Sequence, residues 1–254
     1  MDKQSWEEAV QDLSMMLMYL TRMQDSNEYC RYMETAWKGY DFGILQKLED
    51  DQMLWQPKKS RYVYLSEKGK ESARALLQKY GLPDVDLYEK FEFRKIVPDE
   101  IEQAAWIEQE CFPPKEACTA QIMQQRVEQA PELFLTARDK HTGRLVGFIN
   151  GLSTKEYNLR DEFFTDVSLH DPQGGNVMIL GVDVLPEYRR QGIARELMYT
   201  YLRRQRENGK KLVVLTCKPQ KVKMYRKMGF RDHGVSDSVW GGVQWHEMSC
   251  VVNI

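Results

Sequence analysis

The stretch VDVLPEYRRQGIARELM, residues 182–198, joins a short apolar run, a turn and the start of a helix. A helix N-terminus leaves backbone N–H groups without partners, and their dipoles favour anions. Gly192 lets the backbone approach a ligand where a side chain would block it, and the arginines of the turn add positive charge. The stretch therefore predicts a strand–turn–helix unit that holds a phosphate, or else a glycine that only eases packing at the helix start.

Strands and helices alternate irregularly around this unit. Apolar patterning predicts strands in FEFRKIV, NVMILGVDVLP and KLVVLTC, two more near residues 230–235 and 243–252, and a hairpin whose turn contains Gly143. Hairpins on both sides of a central βαβα unit exclude a fully doubly wound sheet. We therefore predict an α+β fold, with a mixed, mostly antiparallel sheet flanked by helices.

Helical spacing accounts for the remaining segments of this region. PDEIEQAAWIEQECF admits Pro98 in its first turn, and TAQIMQQRVEQAP has Thr119 as its candidate N-cap. A long helix follows Gly192 and ends near Gly209, and KPQKVKMYRKMG predicts a short helix. These elements define a second domain over residues 92–254.

Two motifs give this domain a family resemblance. The run Arg189–Ala194, RRQGIA, matches the R/Q-x-x-G-x-G/A signature of the GNAT superfamily of N-acetyltransferases, and MYRKMGF, Met224–Phe230, matches its FYEKxGF signature. The stretches IEQECFPPKEACTAQIMQQRVEQAPELFLTARD, SLHDPQGG and GGVQWHEMSC resemble, in the same order, the arylalkylamine (serotonin-type) branch. The resemblance covers roughly Phe91 to Ile254 and implies the GNAT acyltransferase fold.

The resemblance implies acetyl-CoA as co-substrate, lying between two splayed parallel strands. The backbone of Val182 and Val184 would bond the pantetheine arm, and the Val182 N–H would stabilise the oxyanion. The turn and first helical residues would cradle the pyrophosphate; the cofactor-binding set is Val182, Val184, Arg189, Arg190, Gln191, Gly192, Ile193, Ala194 and Arg195.

By the same resemblance, Tyr225 is the acid that protonates the leaving thiolate. The base departs from the family pattern, since Met178 and Leu180 stand where the arylalkylamine branch has two histidines. Strand alternation predicts that Asp183 points to the face opposite these two residues, which favours a structural role. His170 is the remaining candidate base, directly or through water; a water chain, or an amine that deprotonates in solution, is the alternative.

Glu110 and Phe112 are the expected acceptor-site residues, because a carboxylate beside an aromatic ring suits a cationic amine. The same segment could equally form a rigid surface turn. We expect direct transfer of an acetyl group to a primary amine of a small, arylalkyl-type substrate. The alternatives are a protein or peptide N-acetyltransferase, or a CoA-sensing regulator without turnover.

Residues 1–82 predict a separate small domain, joined by a linker over residues 83–91. Helical runs, a short β-rich run at Tyr62–Leu65 and a closing helix with Ser66 as N-cap and Gly81 as stop resemble winged-helix modules. Phe42, Leu45 and Leu48 can share one helix face. The domain carries 12 Lys and Arg against 13 Asp and Glu, so it has no excess charge for neutralising DNA phosphates despite the KKSR cluster. A packing or dimerisation module is favoured over DNA binding.

Composition narrows the remaining function classes. The net charge is −2, and nothing in that balance predicts a nucleic-acid or membrane partner. No apolar segment is long enough to span a membrane. The start of the chain has no basic segment leading into an apolar run, which disfavours secretion. The cysteines lack metal-ligand spacing, so we expect free thiols, no metal and a cytoplasmic protein; they are Cys30, Cys111, Cys118, Cys217 and Cys250.

Overall fold

The computed structural model describes residues 5–24, 33–84 and 86–253, and Cys30 lies outside these ranges. The chain divides into two compact units, Met1–Asp86 and Leu87–Ile254. The described helices include none that is long and apolar enough to cross a membrane.

The described part of the first unit contains three helices and a sheet of four short strands. In chain order these are α1 (Trp6–Leu20), β1 (Met23–Gln24), β2 (Glu34–Trp37), α2 (Phe42–Asp50), β3 (Leu54–Trp55), β4 (Tyr62–Leu65) and α3 (Glu67–Lys79). The strand order is β1-β2-β4-β3, and every neighbouring pair is antiparallel. The β-rich run predicted at Tyr62–Leu65 is thus one strand of a four-stranded sheet, which also contains β1 and β2, two strands that the sequence did not predict. The winged-helix class stays a prediction.

The local signals of the first unit are confirmed with one exception. Ser66 caps α3 by accepting a hydrogen bond from the Gly69 N–H at 3.0 Å, and Gly81 ends the helix region at φ +64°. Leu45 and Leu48 are buried, but Phe42 is 80 % exposed. Each three-residue step rotates the side-chain direction by about 60°, so Phe42 lies about 120° away from Leu48. The prediction of a shared face was therefore wrong for Phe42.

The second unit builds a larger sheet from strands separated by helices. Its elements are α4 (Leu87–Lys90), β5 (Phe91–Lys95), α5 (Ile101–Cys111), α6 (Ala120–Gln129), β6 (Phe134–Asp139), β7 (Leu145–Thr154), β8 (Asn176–Val184), α7 (Ile193–Glu207), β9 (Leu212–Cys217), α8 (Val222–Arg226), β10 (Arg231–Val235) and β11 (His246–Val251). The strand order is β10-β11-β9-β8-β7-β6-β5, and β8–β9 is its parallel pair. The predicted mixed, mostly antiparallel sheet with flanking helices is confirmed.

The helices cover both faces of this sheet. Phe148 of β7 packs into a cluster with residues of α5 and α6, whereas its neighbour Ile149 packs into the cluster that contains α7. Because successive strand residues point to opposite faces, α5 and α6 lie on one face and α7 on the other. Thr119 caps α6 as predicted, and Gly143 and Gly209 adopt positive φ at the hairpin turn and after α7. Pro98 opens a short 3₁₀ turn just before α5.

Strand β8 is irregular along both of its edges. Its parallel pairing with β9 stops at Met178 opposite Val214, although both strands continue. On its other edge, Asn150 of β7 pairs with Gly181 and Gly151 pairs with Ile179, so Leu180 is an inserted bulge residue.

The bulge reverses the side-chain alternation of β8. Leu152 of β7 pairs with Met178, and Phe148 pairs with Asp183. Paired residues of antiparallel strands lie on the same face, and Phe148 and Leu152 share a face because β7 itself is regular. Met178 and Asp183 therefore lie on one face, and the prediction that they lie on opposite faces was wrong.

Candidate active site

A cavity of about 350 Å³ opens where β8 and β9 separate. Its walls are the two strand ends, the end of α5 and the loop after it, α8 and the segment before β11. The residues that line it include Cys111, Phe112, Glu116, Phe164, Gly181, Val182, Val184, Arg189, Ala194, Cys217, Lys218, Tyr225, Trp240 and Trp245. The long, narrow arm of a ligand can enter between β8 and β9 and reach the end of the cavity that is lined by aromatic side chains.

The turn between β8 and α7 borders one side of this cavity. Helix α7 begins at Ile193 after Gly192, whose φ is +95°, and no side chain caps its first N–H groups. Arg190 has φ +61°, which is uncommon for a residue with a side chain. Arg189 lines the cavity and donates from Nε to the Val184 carbonyl oxygen at 2.9 Å. The arrangement offers backbone N–H donors and positive charge to an anion, which fits a pyrophosphate.

The predicted cofactor residues fall into two groups. Val182, Val184, Arg189 and Ala194 line the cavity itself. The others belong to the adjoining turn and first turn of α7, where Ile193 is buried, Gly192 is half-buried and three side chains are exposed: Arg190, Gln191 and Arg195. The structure brings both groups to the same end of β8.

Tyr225 lies on α8 in the cavity wall and is buried. Its ring meets Phe230 edge to face, with 5.9 Å between centroids. Burial is the largest cause of the raised pKa of Tyr225, and the neighbouring Cys217 and Asp183 add to it. The phenol therefore keeps its proton at neutral pH.

Two cysteines also line the cavity, Cys111 and Cys217. Burial raises the pKa of each thiol to about 12. Both are free, as are Cys118 and Cys250. Because the thiolate is the nucleophilic form, neither cavity cysteine is activated for covalent catalysis.

His170 is not in the cavity wall, so the geometry does not support the prediction that it is the base. Its Nδ1 accepts a hydrogen bond from the Ser153 N–H at 3.2 Å, and its Nε2 lies 3.6 Å from Glu132. Ser153 pairs with Val177 near the start of β8, whereas Tyr225 lines the cavity at the other end of that strand. Burial lowers the pKa of His170, and His170 is not among the residues that line the cavity.

The two predicted acceptor residues are separated by the structure. Phe112 lines the cavity, but Glu110 is exposed on α5 and lies outside the lining. The carboxylate found there instead is Glu116, which is buried and 2.8 Å from the Lys218 Nζ. Its Oε2 has no hydrogen-bond partner among the described residues. In FPPKEACT the turn after Phe112 directs the single acidic residue, Glu116, inward, which spacing alone does not reveal.

Aromatic side chains form the rest of this end of the cavity. Phe164 stacks on Trp240 with 4.9 Å between centroids. The Trp240 Nε1 donates to the Glu116 carbonyl oxygen at 2.9 Å, and the Trp245 Nε1 donates to the Trp240 carbonyl oxygen at 2.8 Å. Sequence reasoning missed this aromatic wall, although the tryptophan of GGVQWHEMSC was part of a recognised motif. The described residues contain no group of three or more potential metal ligands.

Comparisons with known proteins agree with this geometry. The sequence model of the acetyltransferase (GNAT) family matches residues 101–230, and a model described as a domain of unknown function (DUF6429) matches residues 6–82. The second of these carries no winged-helix assignment.

Solved structures resemble the second unit at low sequence identity. The GphF GNAT-like decarboxylase in complex with isobutyryl-CoA is 17 % identical, with a TM-score of 0.54 over 63 % of this chain and 99 % of that one. The loading GNATL domain of CurA from Lyngbya majuscula is 14 % identical, with a TM-score of 0.53 over 64 % and 98 %. Ard1 from Thermoplasma volcanium is 21 % identical, with a TM-score of 0.50 over 65 % and 99 %.

These structural likenesses establish the fold. The family match is broader evidence, because it spans more than half of the 254 residues and includes both motifs around Gly192 and Tyr225. With a fold, a cavity and a sequence match that agree, the chain belongs to the acetyltransferase (GNAT) family.

Proposed function

We propose that this protein is an acetyl-CoA-dependent N-acetyltransferase that transfers the acetyl group directly to a primary amine of a small substrate with an aromatic or apolar body. The observation that carries the proposal is a single cavity that joins three features. These are the separated ends of β8 and β9, the buried Tyr225 and an aromatic end with the carboxylate of Glu116.

The acyl-CoA would enter between β8 and β9. Backbone groups of Val182 and Val184 would bond the pantetheine arm, and the uncapped start of α7 would hold the pyrophosphate. The arginines at positions 189, 190 and 195 add positive charge to this anion site. When bound, the thioester supplies an activated acyl carbon.

Two groups of the chain would then stabilise or neutralise the negative charges that develop during acetyl transfer. The Val182 N–H would stabilise the oxyanion that develops on the acyl oxygen, a contribution that is often large in enzymes. Tyr225 would donate its phenolic proton to the departing thiolate from its place in the cavity wall, and its raised pKa keeps the phenol protonated until that step.

The acceptor would bind at the aromatic end. A cationic ammonium group would be attracted to the unpartnered Oε2 of Glu116 and to the indole of Trp240. Lys218 already pairs with Glu116 Oε1 and lies over the Trp245 ring, so it would be the neighbour of this ammonium group. The apolar body of the substrate would pack beside Phe112 and Phe164. This lining favours a small amine over the extended backbone of a protein substrate.

The test is thiol release from acetyl-CoA with a panel of arylalkylamines, polyamines and lysine peptides. Propionyl-CoA and isobutyryl-CoA serve as alternative donors, and thermal shift with CoA alone reports binding without turnover. We expect turnover with arylalkylamines and the highest rate with acetyl-CoA. Turnover with peptides only would mean that the acceptor is a protein or peptide amine. A CoA-induced shift in melting temperature without any turnover would contradict the proposed enzymatic activity and favour a CoA sensor.

A further inference from the structure

Three buried polar side chains meet behind the cavity wall. Asp183 of β8 is 0 % exposed, Asn150 of β7 is 1 % exposed and Glu108 of α5 is 3 % exposed. None of the three belongs to the two family motifs, Arg189–Ala194 and Met224–Phe230. Buried polar groups normally form hydrogen bonds, so their partners can be accounted for one by one.

All three side chains converge on Gly181, which lines the cavity. A Cβ atom at Gly181 would lie 2.8 Å from Asp183 Oδ2, 3.2 Å from Asn150 Nδ2 and 3.7 Å from Glu108 Oε2. Among the described residues, none provides a hydrogen-bond partner for any of these three atoms. A side chain at Gly181 would clash with these groups, so only glycine lets two acceptors and one donor converge there without partners. Unpartnered buried polar atoms of this kind are the ones that a buried water molecule satisfies in proteins.

Around Gly181, acidic side chains outnumber the basic side chain next to them. Arg126 of α6 places Nη1 3.8 Å from Glu108 Oε2 and 3.4 Å from Asn150 Oδ1, and its Nη2 donates to the Phe164 carbonyl oxygen at 2.9 Å. Two carboxyl groups therefore share one adjacent arginine. No N–H or O–H group in the described residues donates to Asp183, although the Cys111 thiol, a weak donor, lies beside it.

The groups around Asp183 make its carboxyl a weaker acid. Burial, and then the negative charge of Glu108, raise the pKa of Asp183 well above its ordinary value, while Arg126 and Arg189 oppose the rise. The titratable or charged groups that face it from neighbouring elements are Glu108, Cys111, Cys118, Arg126, Arg189 and Tyr225. A carboxylate of raised pKa is better matched to taking a proton from an amine than an ordinary one.

We propose that Asp183, paired with Glu108, accepts the proton of the acceptor ammonium through one water molecule held beside Gly181. The inference rests on the proposed function. The direction of the Asp183 side chain follows from the bulge at Leu180, which turns Asp183 to the same face of the sheet as Met178. Met178 and Leu180 have no basic group, and His170 is away from the cavity, so Asp183 takes the role that those positions lack.

The protons balance as follows. The ammonium gives one proton through the water to the Asp183 carboxylate, and the neutral nitrogen forms a bond to the acyl carbon. The carbon–sulfur bond then breaks, Tyr225 gives its proton to the thiolate sulfur, and the new amide nitrogen loses its second proton, which restores Tyr225. Asp183 returns its proton to solvent, so each turnover releases one proton.

The test compares wild type with Asp183→Asn, which keeps the shape of the side chain and removes its basicity. We expect kcat/KM to fall by about 10²-fold or more and the acidic limb of its pH profile to disappear. A fluorinated amine that is largely neutral at the assay pH should show a smaller defect, because it arrives without the proton. Asp99→Asn, on an exposed residue before α5, is the matched control and should match wild type.

Glu108→Gln gives a second, independent result. Removing the adjacent negative charge should lower the pKa of Asp183 and move the acidic limb to lower pH, whereas a purely structural role predicts no such shift. Stability supplies a readout without turnover. A carboxyl of raised folded pKa loses stability as pH rises between its unfolded and folded values, so wild type should show this decline and Asp183→Asn should lack it.

The outcomes separate the two proposals. Wild-type turnover together with an unchanged rate and pH profile in Asp183→Asn would overturn the inference and leave the enzyme in place. Absence of wild-type turnover on every amine would overturn the proposed function and the inference with it. A lost acidic limb, a smaller defect with the fluorinated amine and a shifted limb in Glu108→Gln support Asp183 as the proton acceptor.

Discussion

Tyr225 is a buried phenol whose single oxygen can be removed while its ring packing on Phe230 is kept. Because a general acid contributes about 10²–10⁴-fold, we expect Tyr225→Phe to lower kcat by about 10²-fold or more while CoA affinity stays within about threefold. Steady-state kinetics and calorimetric titration with CoA measure the two effects. An unchanged kcat would remove the acid role and leave protonation of the thiolate to solvent.

Glu116 is the carboxylate at the aromatic end of the cavity. Glu116→Gln keeps the side-chain size and removes the charge, so we expect KM for cationic amines to rise about tenfold, which corresponds to about 1.4 kcal/mol. The measurement is initial rates over a range of amine concentrations at saturating acetyl-CoA. Glu102→Gln, on an exposed residue of α5, is the control. A larger effect of Glu110→Gln than of Glu116→Gln would restore the acceptor role that the sequence predicted for Glu110.

Helix α7 allows a matched test of the anion site, because a glycine of positive φ flanks each of its ends. Gly192 precedes the helix at φ +95°, and Gly209 follows it at φ +73°. A glutamate at either position costs about 1–2 kcal/mol of backbone strain and adds the same charge. Only at Gly192 does that charge meet the uncapped N–H groups. The added Cβ at Gly192 also lies 3.3 Å from Leu87 Cδ1, whereas nothing lies within 4 Å of it at Gly209, and thermal unfolding reports the cost of that contact. We expect Gly192→Glu to weaken CoA binding by about 100-fold or more and Gly209→Glu to leave it unchanged.

Calorimetric titration with CoA, together with thermal unfolding of both variants, checks this expectation. Equal CoA affinity in the two variants would mean that the turn only packs the helix against the sheet.

The elements that the sequence predicted best are those with local signals. Thr119, Gly143 and Gly209 mark a cap, a turn and a helix end through their own backbone geometry, and all three are confirmed. The bulge at Leu180 was not predicted, because strict alternation along a strand has no sign that marks one inserted residue. That single insertion reversed the expected direction of Asp183.

The site itself was only partly predictable for a related reason. Tyr225 and the turn at Gly192 belong to continuous motifs, so their neighbours along the chain identify them. Glu116, Phe164 and Trp240 come from three loops far apart in sequence and meet only when the sheet is formed. No spacing rule joins them.

At the level of the whole chain, the hydrophobic cores define where an independent folding unit begins. The core of the first unit contains only residues up to Leu77, and the two cores of the second unit begin with Leu87 and Ile96. The sequence predicted a domain from residue 92, whereas the compact unit starts at Leu87. The five residues between these two starting points include three buried apolar side chains: Leu87, Tyr88 and Phe91.

Two fragments therefore make different predictions. We expect residues 87–254 to unfold cooperatively and to bind CoA within about threefold of the full chain, because every residue lining the cavity lies within them. Residues 92–254 lose three buried apolar side chains at about 1.5–3 kcal/mol each, a sum comparable to the whole stability of a typical domain. One of the three, Leu87, has its Cδ1 3.3 Å from the Cβ position of Gly192 beside the anion site, so its loss should also affect that site.

Thermal unfolding and CoA titration of both fragments distinguish the two boundaries. A much lower melting temperature and weaker CoA binding of residues 92–254 would establish that α4 and the start of β5 belong to the acetyltransferase unit. Equal stability and affinity would place the boundary at residue 92 and make the preceding residues a linker. If neither fragment binds CoA while the full chain does, the first unit is required for the site, which would give that unit a role in the enzyme.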